Sequence, residues 1–313
     1  AYFQNVLSRI RPGFDPERIM PLLIASCFMD ALAASQPRFR DTAAARVRAL
    51  NDGFQAWQLR KRYAGMEPNA VAVAGEPFVK NAAAMEKMSR MFVDGPAGNP
   101  TAIETDIVDT IIADFPPEFS ATLRGIVDEW IGIVGRENHY VVGPKTYHVN
   151  LSVAQDLPKR STDGVGVLKD RASRLSAQNV RDIFGEVRAV VSRMKEFRLT
   201  PKGVRIGGDG GLIFVFEHAP EVLNFREGAI EGARAQAPGY VEGRPKPIIH
   251  VTLFRMRSQF VPDEAQAAAI NTFFAKYREV GNSIPTVPVK QVHFGHETQW
   301  MNEGFDLEVP LAI

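Results

Sequence analysis

The hydrophobic period of the chain changes near residue 139, and no other feature constrains the fold as much. Before that point apolar residues recur at three- and four-residue spacing, as Leu123, Ile126, Val127 and Trp130 do in "EFSATLRGIVDEWIGIVG", which is the signature of an amphipathic helix. The same reading predicts helices over "ERIMPLLIASCFMDALAAS" from Glu17, "DTAAARVRALNDGFQAWQLRKRYAG" from Asp41, "NAAAMEKMSRMF" from Asn81 and "AIETDIVDTIIADF" after Thr101. Asp41 and Thr101 are read as helix caps. "AGMEPNAVAVAGEP" and "VDGPAGNP" break the helices. Residues 1–138 are therefore expected to form an all-helical N-terminal region.

Beyond residue 139 the segments are short, rich in β-branched and aromatic residues, and bounded by Gly, Pro or Asp. "YHVNLSV", "KGVRIGG", "GLIFVFE", "PIIHVTLFRM", "VPVKQVHFG" and "FDLEVPLAI" read as strands. Helices are expected between them, over "NVRDIFGEVRAVVSRMKEF", "EVLNFREGAIEGARAQ" and "DEAQAAAINTFFAKYREVG". "GGDGG" at 207–211 joins two strands as a hairpin turn; with no P-loop lysine and no helix after it, it is not read as a phosphate-cradling loop. The order strand, helix, hairpin, helix, strand, helix, two strands describes two similar lobes, each a small sheet carrying helices. The expected fold class is α+β, with a bilobal domain over residues 139–313.

Charge narrows the partners. Lys and Arg number 15 against 17 Asp and Glu up to Asn138, and 22 against 19 beyond it, for a net charge of +1. That excludes the dense basic stripe of a protein gripping long nucleic acid and leaves room for a small phosphorylated ligand. The apolar run from Ile19 is interrupted by Pro21 and Asp30, so no membrane span is expected. With no export signal visible and Cys27 alone, cytoplasmic residence with a buried thiol is the expectation.

Two of the strands share an unusual composition. Faces alternate along a strand, so in the first run Tyr147, Val149, Leu151 and Val153 share one side while His148, Asn150 and Ser152 share the other. In the second, Ile249, Val251 and Leu253 lie opposite His250, Thr252 and Phe254, with Arg255 on the side away from the histidine. Two such strands facing each other across a cleft place two imidazoles on opposite sides of a bound group. One imidazole can accept a proton while the other donates, which is the requirement of phosphodiester transfer or hydrolysis. The Thr252 hydroxyl and the Asn150 amide can donate to non-bridging phosphate oxygens. The scheme calls for no metal and no cofactor.

This pair of motifs resembles the 2H phosphoesterase superfamily, whose two lobes each carry a His, any residue, Thr or Ser motif between apolar residues. "HVTLFR", His250 to Arg255, is similar to the second motif of its LigT-like members, and the hairpin and helix before "PIIHVTL" are similar to that family's second half. The resemblance covers about residues 140–313 and implies a bilobal domain of two small antiparallel sheets with helices. It also implies a metal-independent phosphodiesterase acting on 2′,3′-cyclic phosphates, 2′-5′ linked oligonucleotides or cyclic oligonucleotides. Asn150 departs from the pattern, which leaves open a catalytically reduced nucleotide-binding module.

Further candidates surround the motifs. Lys145, Lys202 and Arg205 are read as cations near the cleft, Tyr140 and Phe254 as rings able to stack a base, and Arg255 as a ligand contact or a structural ion pair. His293 and His296 in "VHFGHE" have no diagnostic metal spacing, and no G-x-S-x-G elbow occurs. The expected partner is a nucleotide or short oligonucleotide, with no membrane; the N-terminal helical region is a candidate for self-association or for docking a partner.

Overall fold

Trp130 marks the centre of the molecule's second unit: fully buried, it meets the rings of Phe78, Phe254, Phe273 and Phe274 at centroid distances of 5.1 to 6.1 Å. The computed structural model describes residues 37–90, 92–94, 100–102, 104–137, 139–143, 147–153, 194–226, 248–299 and 302–310. The expected helix from Glu17, and most of those from Asn179 and Glu221, lie outside the described residues.

The chain divides into two units, Ala1–Arg62 and Tyr63–Ile313. In the first, the described residues are those of helix α1 (Pro37–Ala64) up to Arg62. The helix begins at Pro37, where the ring fixes φ without removing a needed donor, so Asp41 lies inside it rather than capping it. Phe54 and Trp57 stack at 5.9 Å, and the Lys61 ammonium lies 5.1 Å from the Trp57 ring.

The second unit is α+β. Its helices are α2 (Ala82–Ser89), α3 (Pro117–Val134) and α4 (Glu264–Tyr277). Asn81 caps α2 through the Ala84 N–H, and Asp263 with Gln266 forms a full capping box on α4. α3 buries Phe119, Leu123, Ile126, Val127, Trp130 and Val134, the stripe its spacing predicts, and stops at Gly135, whose φ of 78° suits glycine. No helix among the described residues is long and apolar enough to cross a membrane.

The strands are β1 (Phe92–Asp94), β2 (Pro100–Ala102), β3 (Glu104–Asp114), β4 (His139–Val141), β5 (His148–Val153), β6 (Phe197–Leu199), β7 (Pro201–Ile206), β8 (Gly211–Phe216), β9 (His250–Met256), β10 (Val287–Val289), β11 (Gln291–Gln299) and β12 (Asn302–Pro310). Two four-stranded antiparallel sheets carry the architecture, ordered β12-β11-β3-β5 and β4-β9-β8-β7. β1 pairs with β2 and β6 with β10 as short two-stranded ribbons.

One expectation is corrected here. Thr101 and residues 104–114, read as a capped helix, are strands β2 and β3, so the region up to residue 138 is not all helical. β3 pairs with β11 on one side and β5 on the other. Its Ile, Val and Thr content favours the pleated backbone, and neighbours on both edges pair its backbone groups.

His139 sits where β4 meets β9, in register with Met256, with its ring 4.5 Å from that of Phe254. Burial pushes its imidazole down to about 4, so it is neutral in the folded chain at pH values where the unfolded chain is protonated. A depressed imidazole means the unfolded state binds more protons, so this group's share of stability is lost as pH falls from about 6.5 toward 4. Urea denaturation across that window is expected to show a loss of up to ~3 kcal/mol that His139→Phe removes; an equal acid slope in wild type and variant counts against it.

Candidate active site

The sheet holding β5 and the sheet holding β9 bring the two histidine strands against each other. Along β5, Tyr147, Val149 and Leu151 are buried while His148 and Asn150 are half-exposed. Along β9, Val251 and Leu253 are buried while His250 and Thr252 are half-exposed. Each strand therefore has the apolar back and polar front that alternation predicts.

Both strands then break register at the same place. In β5 the register against β3 passes from Asn150 to Ser152 while β3 advances by a single residue, so Leu151 is the extra residue of a bulge. In β9 the register against β8 passes from Thr252 to Phe254 with the same single step, which makes Leu253 the extra residue. The two leucines stand three residues after His148 and His250, in "HVNL" and "HVTL".

The β9 bulge inverts the expected faces beyond Thr252. Phe254 is 0% exposed and packs on Trp130 and His139, so it is a core residue rather than a platform for a base. Arg255 instead joins His250 and Thr252 on the half-exposed side. Its Nη1 donates to Asp209 Oδ2 at 2.6 Å, tying β9 to the β7–β8 turn. That turn is the hairpin read from "GGDGG". Gly210 takes a φ of 76° there, and the side chain of Arg255 lies so close over Gly211 that a Cβ would collide with it.

The other predicted residues are placed as follows. Tyr140 lies in β4, its ring 5.1 Å from Phe92 and its backbone in register with Arg255. Lys145 lies outside the described residues. Lys202 bonds Glu217 at 3.1 Å and Glu279 at 3.0 Å. Arg205 is 2% exposed and donates to Glu279 at 2.6 Å and to the carbonyls of Val204 and Arg278, beside the Tyr63 ring. Burial opposes the charges of Lys202 and Glu279, yet their mutual bonds raise the lysine and lower the carboxyl. These two cations are thus held by carboxylates within the fold. His293 is buried in β11 with its Nε2 3.3 Å from Gln291 Nε2.

Sequence reasoning missed the groups that seat the motif strands. Arg226, among the helical residues 220–226, donates from Nη2 to the Asn150 carbonyl at 2.6 Å and from Nη1 to the Ile248 carbonyl at 2.8 Å. The Tyr63 hydroxyl donates to the Phe216 carbonyl at 2.8 Å and lies 3.2 Å from that of Ile249, which also accepts from the Phe216 N–H at 3.0 Å. Burial raises the Tyr63 phenol well above its ordinary value, so it stays a donor. Nothing local in "NFREG" or "RYAG" signals contacts 22 to 186 residues away. On the site's polar side, Asn150 Oδ1 is shielded from solvent without a hydrogen-bond partner among the described residues, a costly state for a buried acceptor.

Two small antiparallel sheets, one presenting a His-x-Asn strand and the other a His-x-Thr strand, make up the α+β architecture. Comparison with solved structures returns similar chains. TT0787 of Thermus thermophilus is 14% identical with a TM-score of 0.43, over 65% of this chain and 97% of that one. E. coli LigT in its apo form is 13% identical with a TM-score of 0.40, over 67% and 100%. ATU0111 of Agrobacterium tumefaciens is 12% identical with a TM-score of 0.40, over 67% and 87%. No protein-family model matches the sequence, and no curated protein matches it. Likeness at this level leaves the chemistry of this chain to its own residues.

Burial alone would raise the Asp209 carboxyl; the Arg255 charge and the Gly211 N–H overcome it and hold it below its ordinary value. A lowered carboxyl contributes stability above the unfolded value near 4, which is lost as pH falls through the folded value. Asp209→Asn is expected to cost ~1 kcal/mol or less at pH 7, the scale of a partly exposed pair. Denaturation curves of wild type and variant should converge under acid, and a gap that persists at the lowest pH counts against the ion pair as its source.

Proposed function

We propose that this chain is a phosphodiesterase that opens or hydrolyses a nucleotide-derived phosphodiester, with His148 and His250 as its acid–base pair. The observation that carries the reading is the pairing itself: two strands that share His-Val-x-Leu, each bulged at its leucine, lie together with both histidines on half-exposed faces. A lone histidine on a strand has no such counterpart.

In hydrolysis of a 2′,3′-cyclic phosphate, the neutral imidazole takes a proton from water as its oxygen bonds to phosphorus. The protonated imidazole gives its proton to the ribose oxygen as the P–O bond to that oxygen breaks. One P–O bond forms and one breaks, and the proton count is unchanged. Thr252 Oγ1 and the Asn150 amide nitrogen donate to the non-bridging oxygens, where charge grows in the transition state. Arg255, oriented by Asp209, supplies positive charge on the same side of β9. Two histidines suffice for this proton transfer, so the reaction proceeds without a metal in the proposal.

The test is turnover of 2′,3′-cyclic, 2′-5′ linked and cyclic oligonucleotides with chelator present, for wild type, His148→Ala and His250→Ala. Each variant is expected to lose roughly a hundredfold or more, the scale of a missing acid or base. Asn150→Thr is expected to retain activity on the same substrate. Nucleotide binding without turnover of any member would favour a binding module, the reading that the asparagine at 150 supports; chelator-sensitive turnover would overturn the two-histidine scheme.

A further inference from the structure

Acid–base catalysis by two residues on different sheets sets a geometric demand that the residues themselves do not meet. Both imidazoles must stay within hydrogen-bond reach of one phosphate, and a misplacement of ~1 Å costs on the order of a hundredfold in rate. Hydrophobic contact between sheets is non-directional and does not fix such a spacing. A directional link between the strands does.

Arg226 makes that link. One of its bonds ends on the carbonyl two residues after His148, and the other on the carbonyl two residues before His250. The guanidinium is rigid and planar, so its two terminal nitrogens present donors at a fixed separation and in a fixed plane. Both carbonyls are met at once only at one distance and orientation of the strands. Charge-assisted bonds of 2.6 and 2.8 Å are also stronger than neutral ones. Burial pushes the guanidinium down to about 10, which leaves it protonated at neutral pH with both donors charged.

We propose that Arg226 is a positioning residue, a buried tie that sets the spacing of His148 and His250 by gripping one backbone carbonyl on each motif strand. The catalytic half of this statement rests on the acid–base reading above; the tie itself rests on the two bonds. It adds to the Tyr63 and Phe216 bonds around Ile249, which hold β9 but do not reach β5.

Two measurements on wild type, Arg226→Met and Arg226→Lys test it. Steady-state kinetics on the diester that wild type turns over best should show kcat lower by roughly thirtyfold or more in both variants, with KM changed by less than about threefold. Lysine keeps the charge but has one nitrogen in place of the fork, so it should not rescue. Amide hydrogen exchange should speed up by roughly tenfold at Val149–Leu151 and at Ile249–Val251 together, with β7 and β11 unchanged.

Rescue by lysine would reduce the role to charge and overturn the proposal, as would a rise in KM at unchanged kcat, the mark of a ligand contact. Faster exchange in one strand alone, or in neither, would overturn the tie. If wild type turns over no diester, the acid–base reading falls while amide exchange still decides whether the strands are tied. Should Arg226→Met fail to fold, Arg226→Lys carries both measurements.

Discussion

A strand that alternates faces with period two cannot put its first, third and sixth residues on one side. β9 does so with His250, Thr252 and Arg255, and it does so because the backbone takes one extra residue at Leu253. The rest of the architecture follows from that step. Leu253 and Phe254 both turn inward, which lets Phe254 join Trp130 in the core. Arg255 turns outward to meet Asp209, which fixes the β7–β8 turn against the motif strand. β5 repeats the step at Leu151, so each lobe presents its histidine and polar partner from the same local backbone.

Bulges leave the hydrogen-bond ladder incomplete, and a buried carbonyl without a partner costs about as much as a lost hydrogen bond. Carbonyls flanking the motifs also take partners from far along the chain. Arg226 serves Asn150 and Ile248, while the Phe216 N–H and the Tyr63 hydroxyl close on Ile249. The cations that sequence placed at the cleft serve a different purpose. Lys202 and Arg205 share Glu279, so the carboxylate draws together β7 and the end of α4.

Much of this was legible in the sequence. The helical stripe of α3, the helices α2 and α4, most of the strands after residue 139 and the polar fronts of β5 and β9 all follow from local spacing, whereas the caps read at Asp41 and Thr101 do not hold. β3 was not legible. Ile107, Val108, Ile111 and Ile112 fit helical spacing as well as strand content, and pairing on both edges by β11 and β5 decides between them. The inverted faces of Phe254 and Arg255 were hidden for a related reason: a bulge is set by the partner strand, and nothing in "HVTLFRM" shows the register of β8. Tyr63 and Arg226 escaped notice because their partners are backbone atoms, which carry no residue-specific signal.

The tetrapeptides HVNL and HVTL differ at one position, and each is bulged at its leucine. In the proposed reaction, a diester held between them meets a histidine from either side. The pair of imidazoles therefore does not tell one end of an asymmetric molecule from the other. Among the motif residues that discrimination falls to Asn150 against Thr252 and to Arg255, which has Val153 as its counterpart in sequence. A planar amide holds its donor and acceptor on separate atoms, whereas a hydroxyl offers both from one. In the proposed reaction, the break in the twofold repeat gives a bound diester a head and a tail.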